Sequence, residues 1–168
     1  MRIGKEIALE LRKNKIEICD QYYQNMMSFS NYAQLASMYF RGSDWSMEND
    51  FPRLDILRKH KGGLITCGMV TDVSETYSNK RYLAVFGDSD VELNYDGFSV
   101  SELIIRHQSK ARIKASQNAI LSINIIDNAD IHIDCEDEAQ VNVYQYSNDA
   151  TVTFYGGKVK VIKSEFKK

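Results

Sequence analysis

The chain has 168 residues, a formal net charge of −2, 43% hydrophobic residues and 11% aromatic ones. That length builds one domain, or a small domain with an appendage, and lets about 70% of the unfolded surface be buried. The near-neutral charge excludes a general nucleic-acid binder, whose footprint is a clustered basic excess, and ten tyrosines beside a single proline, Pro52, exclude a disordered chain.

Cys19, Cys67 and Cys135 are odd in number, far apart and without CxxC spacing, which argues against a disulfide framework and a zinc site. They are expected to be reduced, mostly buried thiols. The opening "MRIGKEIALELRKNK" is charged every few residues and reads as neither a signal peptide nor a membrane span. The expected location is therefore a cytoplasm, without secretion and without a membrane. Residues 1–63 carry ten Lys/Arg against eight Asp/Glu, and residues 64–168 carry eleven against fifteen, so neither half is strongly charged.

From Ile3 to about Lys61 the apolar spacing is helical. Ile3, Ile7, Ala8 and Leu11 form one stripe, opposed by Lys5, Glu6, Arg12 and Lys13. A second helix is predicted from near Ile16 to Met27. A third runs from Asn31 to Arg41, with Ser30 as N-cap and Gly42 past its end. A fourth fits "PRLDILRKHKGG", with Pro52 in the first turn and Gly62 in a left-handed exit.

After that segment the period changes to two. Val91/Leu93, Leu103/Ile105, Ile113/Ala115, Leu121/Ile123, Ile131/Ile133, Val141/Val143, Val152/Phe154 and Val159/Val161 each put two apolar side chains on one face of a short strand. A small residue stands two positions ahead of the first apolar one: Ala111, Ala119, Ala129, Ala139 and Ala150. Asn118, Asn128 and Asn148 lie at or near the preceding corner. The phrase Asn-Ala-x-(Ile/Val)-x-(Ile/Val) thus recurs about every ten residues.

An antiparallel meander places successive turns at opposite ends of a sheet and has little reason to repeat one residue in one phase. A parallel solenoid stacks equivalent corners, so small residues and left-handed asparagines recur in register. The phase favours an α+β chain with a helical head, residues 1–63, capping a β-solenoid, residues 64–168, of about five coils. An antiparallel meander is the alternative.

The phrases "DNADIHI", "DEAQVNVY" and "NDATVTFYG" resemble the repeats of short right-handed parallel β-helix segments. The layout as a whole, with "GKEIALELRK", "DFP" and "GFSVSELIIRH" ahead of the repeats, resembles a family of small proteins of gut Bacteroidetes and their prophages. The resemblance implies the fold and a mobile-element setting, and implies no activity.

If Ile131, Ile133 and Cys135 point inward, His132, Asp134 and Glu136 form an outward row with about 6.5 to 7 Å between alternate residues. A straight row does not converge on one point, so no metal site and no cofactor is assigned. With two units per coil, Arg112 and Lys114 fall one coil from Asp130, His132 and Asp134, and lateral charge pairing is expected. The acidic corner formed by Asp134, Glu136, Asp137 and Glu138 is a candidate surface for a basic partner. A second candidate is the aromatic segment "NYAQLASMYFRGSDWSM", through Tyr39, Phe40 and Trp45, whose residue types build helical cores and also anchor protein interfaces. Gly62-Gly63 and Gly156-Gly157 lack phosphate-loop spacing, no Gly-x-Ser-x-Gly or His-Glu-x-x-His occurs, and His107 reads as a strand-end residue facing solvent.

The reading is a non-enzymatic structural or protein-interaction protein, encoded by a phage or prophage. It docks a protein partner or a second copy of itself, with no direct contact to nucleic acid. The alternatives are an acidic inhibitor of a nucleic-acid-handling enzyme and a small carbohydrate-active enzyme on the solenoid. The lysines of "KVKVIKSEFKK" are expected to guard the last coil against strand addition.

Overall fold

The computed structural model describes residues 2–167 and divides the chain into two compact units, Met1–Cys67 and Gly68–Lys168. The first is helical: α1 (Ile3–Lys13), α2 (Asp20–Ser28), α3 (Tyr32–Arg41), α4 (Ser43–Glu48) and α5 (Leu54–Leu64), followed by a 3-10 turn, Ile65–Cys67. The apolar stripe of α1 supplies Ile7, Ala8 and Leu11 to a core shared with Tyr23, Met26 and Leu35. A polar network crosses the same helices. Glu6 of α1 pairs with Lys59 and lies 3.4 Å from His60 Nε2, both on α5, while His60 Nδ1 stands 3.2 Å from the hydroxyl of Tyr32 on α3. The Lys59 hydrogen bond, opposed by burial and assisted by His60, holds the Glu6 carboxyl below its ordinary range.

Helix boundaries differ from the sequence reading where capping competes with periodicity. Ile16 does not open α2; it closes α1. Lys15 takes a left-handed conformation (φ 55°), its N–H bonds to the Arg12 carbonyl, and the Ile16 N–H reaches back to Leu11 at 2.9 Å, the Schellman pattern. Asn31, not Ser30, caps α3: its Oδ1 accepts from the Gln34 N–H at 3.0 Å, and the Gln34 side chain returns the bond to the Ser30 N–H. Pro52 precedes α5, and Gly62 lies inside that helix, which runs on to Leu64. The short α4 has no counterpart in the sequence reading.

The second unit is a parallel β-solenoid. Among the described residues its strands are β1 (Met69–Thr71), β2 (Thr76–Ser78), β3 (Tyr82–Phe86), β4 (Asp90–Tyr95), β5 (Val100–Ile105), β6 (Lys110–Ala115), β7 (Ile120–Ile125), β8 (Asp130–Cys135), β9 (Gln140–Gln145), β10 (Thr151–Tyr155) and β11 (Val159–Lys163). They alternate between a six-stranded sheet in the order β1-β3-β5-β7-β9-β11 and a five-stranded sheet in the order β10-β8-β6-β4-β2, and every neighbour pair is parallel. The antiparallel meander is thereby excluded. From β4 to β9 the register repeats every 20 residues, as in Asp90↔Lys110↔Asp130 and Val100↔Ile120↔Gln140. β1, β2 and β3 escape the period-two reading because they are short or, like Leu83–Phe86, buried without alternation.

Three inward side chains per strand build the interior, one more than the apolar pairs suggest. Residues 91, 93 and 95 stack on 111, 113 and 115 and then on 131, 133 and 135. Ala111 therefore belongs to the inward ladder, while the corner alanine of its unit is replaced by Ser109. Ala119, Ala129 and Ala139 are fully buried and close hydrogen-bonded turns on Ser116, Ile126 and Glu136. The third inward row runs Tyr95, Ala115, Cys135, so one large ring is followed by small residues.

The corners explain the ten-residue phase, and the left-handed residue is one position earlier than expected. Gly87, Gly97, His107, Gln117, Asp127 and Asp137 have φ between 54° and 72°; Asn118 and Asn128 follow them and donate their N–H groups to the carbonyls of Gly97 and His107. Each left-handed side chain accepts the backbone N–H of the left-handed residue one coil earlier. Along one corner the His107 Nδ1 takes Gly87 N–H at 3.1 Å and the Asp127 carboxylate takes His107 N–H at 3.0 Å. Along the other the Gln117 side chain takes Gly97 N–H at 2.8 Å and Asp137 takes Gln117 N–H at 2.9 Å. His107 is thus a rung of a ladder, with its Nδ1 lone pair engaged, and not a free strand end. An acceptor side chain satisfies a donor that the turn withdraws from the sheet, and Asp is among the few residue types that tolerate the left-handed region.

Removing one rung should be costly. Asp137→Ala is expected to lower stability by about 1–3 kcal/mol, through an unpaired N–H and a methyl side chain at positive φ, whereas Asp137→Asn keeps both functions and costs much less; urea midpoints of the two variants check this. In the helical unit Gly62 has no neighbour within 4 Å of a built Cβ, so Gly62→Ala should stabilise by about 0.5–1 kcal/mol, read as a rise in the thermal midpoint.

Candidate functional site

The acidic corner lies where β8 leaves the five-stranded sheet, and its four carboxylates are engaged. Asp134 Oδ1 is 3.4 Å from His132 Nε2, Glu136 is 3.9 Å from the Lys114 ammonium, Glu138 pairs with Lys158, and Asp137 holds the Gln117 N–H. A basic partner would have to compete with these contacts. The lateral register is as expected, with Lys110↔Asp130, Arg112↔His132 and Lys114↔Asp134 facing each other. The ion pairs themselves differ, because Arg112 turns to the preceding coil and meets Asp90 at 3.2 Å and Glu92 at 3.4 Å. Exposed pairs of this kind contribute at most about 1 kcal/mol each. The outer face of this sheet carries charges of both signs, several of them paired.

His132 also bonds through Nδ1 to the Thr153 hydroxyl at 2.9 Å. The order hydroxyl, imidazole, carboxylate matches that of a nucleophilic triad, but the three side chains lie on an open sheet face, and Thr153 Oγ1 lies 3.4 Å from the Ile131 carbonyl. Among the described residues no three His, Cys, Asp or Glu side chains group as a metal site. Of the cysteines, Cys135 is buried and its thiol donates to the Ala139 carbonyl at 3.2 Å; burial pushes it away from ionisation, against a weaker opposing effect of Lys158. Cys67 is half-buried. Cys19 is exposed, contrary to the expectation of mostly buried thiols.

The aromatic candidates divide. Tyr39 is 4% exposed and packs edge-on against Phe40, so it belongs to the helical interior and offers no ring to a partner. Phe40 and Trp45 are half-buried, and Trp45 packs against Phe51 at 5.6 Å between ring centroids. Exposed apolar groups cluster elsewhere, on the solenoid. Phe98, at a corner position that Asn118 and Glu138 occupy in later coils, is 85% exposed, and Val100 and Ile120 stand beside each other at the entry of β5 and β7.

The clearest uncovered surface is the last coil. Phe154 aligns with Ile133 in the interior row, yet Ile133 is fully buried and Phe154 is 47% exposed. Val161, in line with the fully buried Val143, is likewise open. The coil also changes length. Thr151 pairs with Asp130 at 21 residues (151 − 130), through one extra residue in the corner 146–150, and Val159 pairs with Val141 at 18 (159 − 141), through the tight Gly156-Gly157 corner. A Cβ on Gly156 would lie 2.2 Å from the Cys135 carbonyl oxygen, so only glycine fits at its φ of 120°. Beside this end a cleft of about 520 Å³ is lined by Gln145, Tyr146, Ser147, Lys163 and Glu165, among others, and the Tyr146 ring stacks on Phe166 at 4.7 Å.

Two tyrosines of the solenoid are perturbed as well, one half-buried and one interior. Burial, then the bond to Glu75, pushes the Tyr77 hydroxyl up to about 12. Tyr95 is fully buried, burial raises its pKa well above the ordinary value of 10.0, and its hydroxyl has no hydrogen-bond partner among the described residues.

Comparison with known protein families, curated proteins and solved structures found no match. No helix among the described residues is long and apolar enough to cross a membrane.

The orphan hydroxyl generates a prediction. The folded-state pKa of Tyr95 lies above its unfolded value, so its unfolded form alone ionises above about pH 10. Stability is then complete below that pH and falls as pH rises beyond it. Tyr95→Phe should be neutral or stabilising by up to about 1 kcal/mol at pH 7 and should flatten the alkaline loss, as measured by urea unfolding between pH 7 and 11.

Proposed function

We propose that the protein is a non-enzymatic structural or protein-interaction protein that takes a further β-strand onto the uncovered end of its solenoid. The observation that carries this reading is the exposure of Phe154 and Val161 in rows whose earlier members are buried. An interior row that ends in solvent, beside strand edges with free backbone groups, is the surface on which β-strand addition acts. The ion pairs along the five-stranded sheet support an architectural role for that face, and the engaged carboxylates of the acidic corner give less support to mimicry of nucleic-acid phosphate. The likeness of the layout to small proteins of gut Bacteroidetes and their prophages supports a phage or prophage setting, in the bacterial cytoplasm or in a virion.

The test compares the wild type with a Val152→Lys/Phe154→Lys variant. In the producing cells and after purification, the wild type is expected to retain a stoichiometric protein, whether its own copy or another chain, that the variant loses. A wild type that stays monomeric and holds nothing the variant lacks would overturn the reading; circular dichroism establishes that the variant is folded.

A further inference from the structure

We propose that the occupant of the open end is a second copy of this chain, joined by two-fold antiparallel pairing of β10 with itself about Thr153. This rests on the reading above that the end accepts a strand, and adds the partner's identity, the strand and the register.

The last coil presents two edges, and they are not equivalent. β11 carries Lys160 and Lys163, so a two-fold seam along it would gather four lysines, the device by which natural sheets discourage edge pairing. β10, Thr-Val-Thr-Phe-Tyr, carries no charge. Its backbone is also poised. The Thr151 N–H bonds to the Ala129 carbonyl, and in a parallel pair a residue turns both its N–H and its C=O to the same side. Thr151, Thr153 and Tyr155 therefore face β8, and the N–H and C=O groups of Val152 and Phe154 point away from it.

These groups fit a second copy in one register. With Thr153 opposite Thr153 of the other copy, Val152 lies opposite Phe154 in both directions. Each of the two Val152–Phe154 pairs can then exchange both backbone bonds, while the central threonines form the non-hydrogen-bonded pair. The axis stands perpendicular to the sheet, so inward faces stay inward. Val152 and Phe154 of each copy then cover those of the other, as the next rung of a ladder whose previous rungs, Ile131 and Ile133, are fully buried. Along the β10 strands themselves no charged side chain stands on either copy. The contact is isologous and closes at two copies, so it does not propagate into a fibre.

The test uses the full chain carrying Cys19→Ser and Cys67→Ser. At the central pair the two Cα atoms are about 4.5 Å apart, within the range a disulfide spans, so Thr153→Cys should cross-link to a covalent dimer under mild oxidation. Thr151→Cys, whose counterparts lie about 13 Å apart along the strands, should not. Phe154→Lys should turn a wild type of twice the monomer mass into a monomer by light scattering. Cross-linking of Thr153→Cys no faster than that of Thr151→Cys, or a dimer that survives Phe154→Lys, overturns the register. A wild type that is monomeric alone but binds a different chain through Phe154 overturns the second copy and leaves the strand-accepting end standing.

Discussion

The structure depends on one recurring bond: an acceptor side chain in the left-handed conformation takes the backbone N–H of the equivalent residue one coil earlier. A solenoid must turn its chain twice per coil, and each turn withdraws an N–H from the sheet that would otherwise satisfy it. His107, Gln117, Asp127 and Asp137 return a partner to that group. The corner thereby becomes as periodic as the strands, and the interior ladder is held at a constant 20-residue register from β4 to β9.

Given that register, packing and surface follow. Three inward residues per strand fill the interior, and variation in size is absorbed along the solenoid axis, as where Tyr95 is followed by Ala115. Outward residues of the five-stranded sheet stand one coil apart, close enough for lateral ion pairs, but exposed charges choose among several neighbours of similar energy. Arg112 thus bonds the preceding coil although His132 and Asp130 are as near in register. Register is a backbone property, and pairing is a side-chain choice made within it.

The regular coils also make the irregular one conspicuous. One residue is gained in the corner 146–150 and the Gly156-Gly157 corner is shortened, so β10 and β11 keep their ladders on β8 and β9, and among the described residues no further strand pairs with either of them. The same apolar alternation that is buried in β8 is then open in β10. An interaction surface arises here without any special residue, from the end of a repeat.

The solenoid was legible in the sequence because its determinants are local: alternation with period two, a small residue before each apolar pair, and a polar corner recurring in one phase. The left-handed residue was misplaced by one position, since asparagine is the commoner occupant by type and only the neighbouring coil reveals which side chain reaches the free N–H. The helical unit shows the same limit. Ile16 carries the apolar character of a helix start, yet the bonds that close α1 claim it, and Tyr39 carries the character of an interface residue, yet the helical core encloses it. Amino-acid order alone determined the fold class and the stacking of equivalent corners, because those follow from periods shorter than a coil. Which carboxylates are already engaged, and which apolar rows end in solvent, only the tertiary structure decided, because both depend on whether another coil lies beside them.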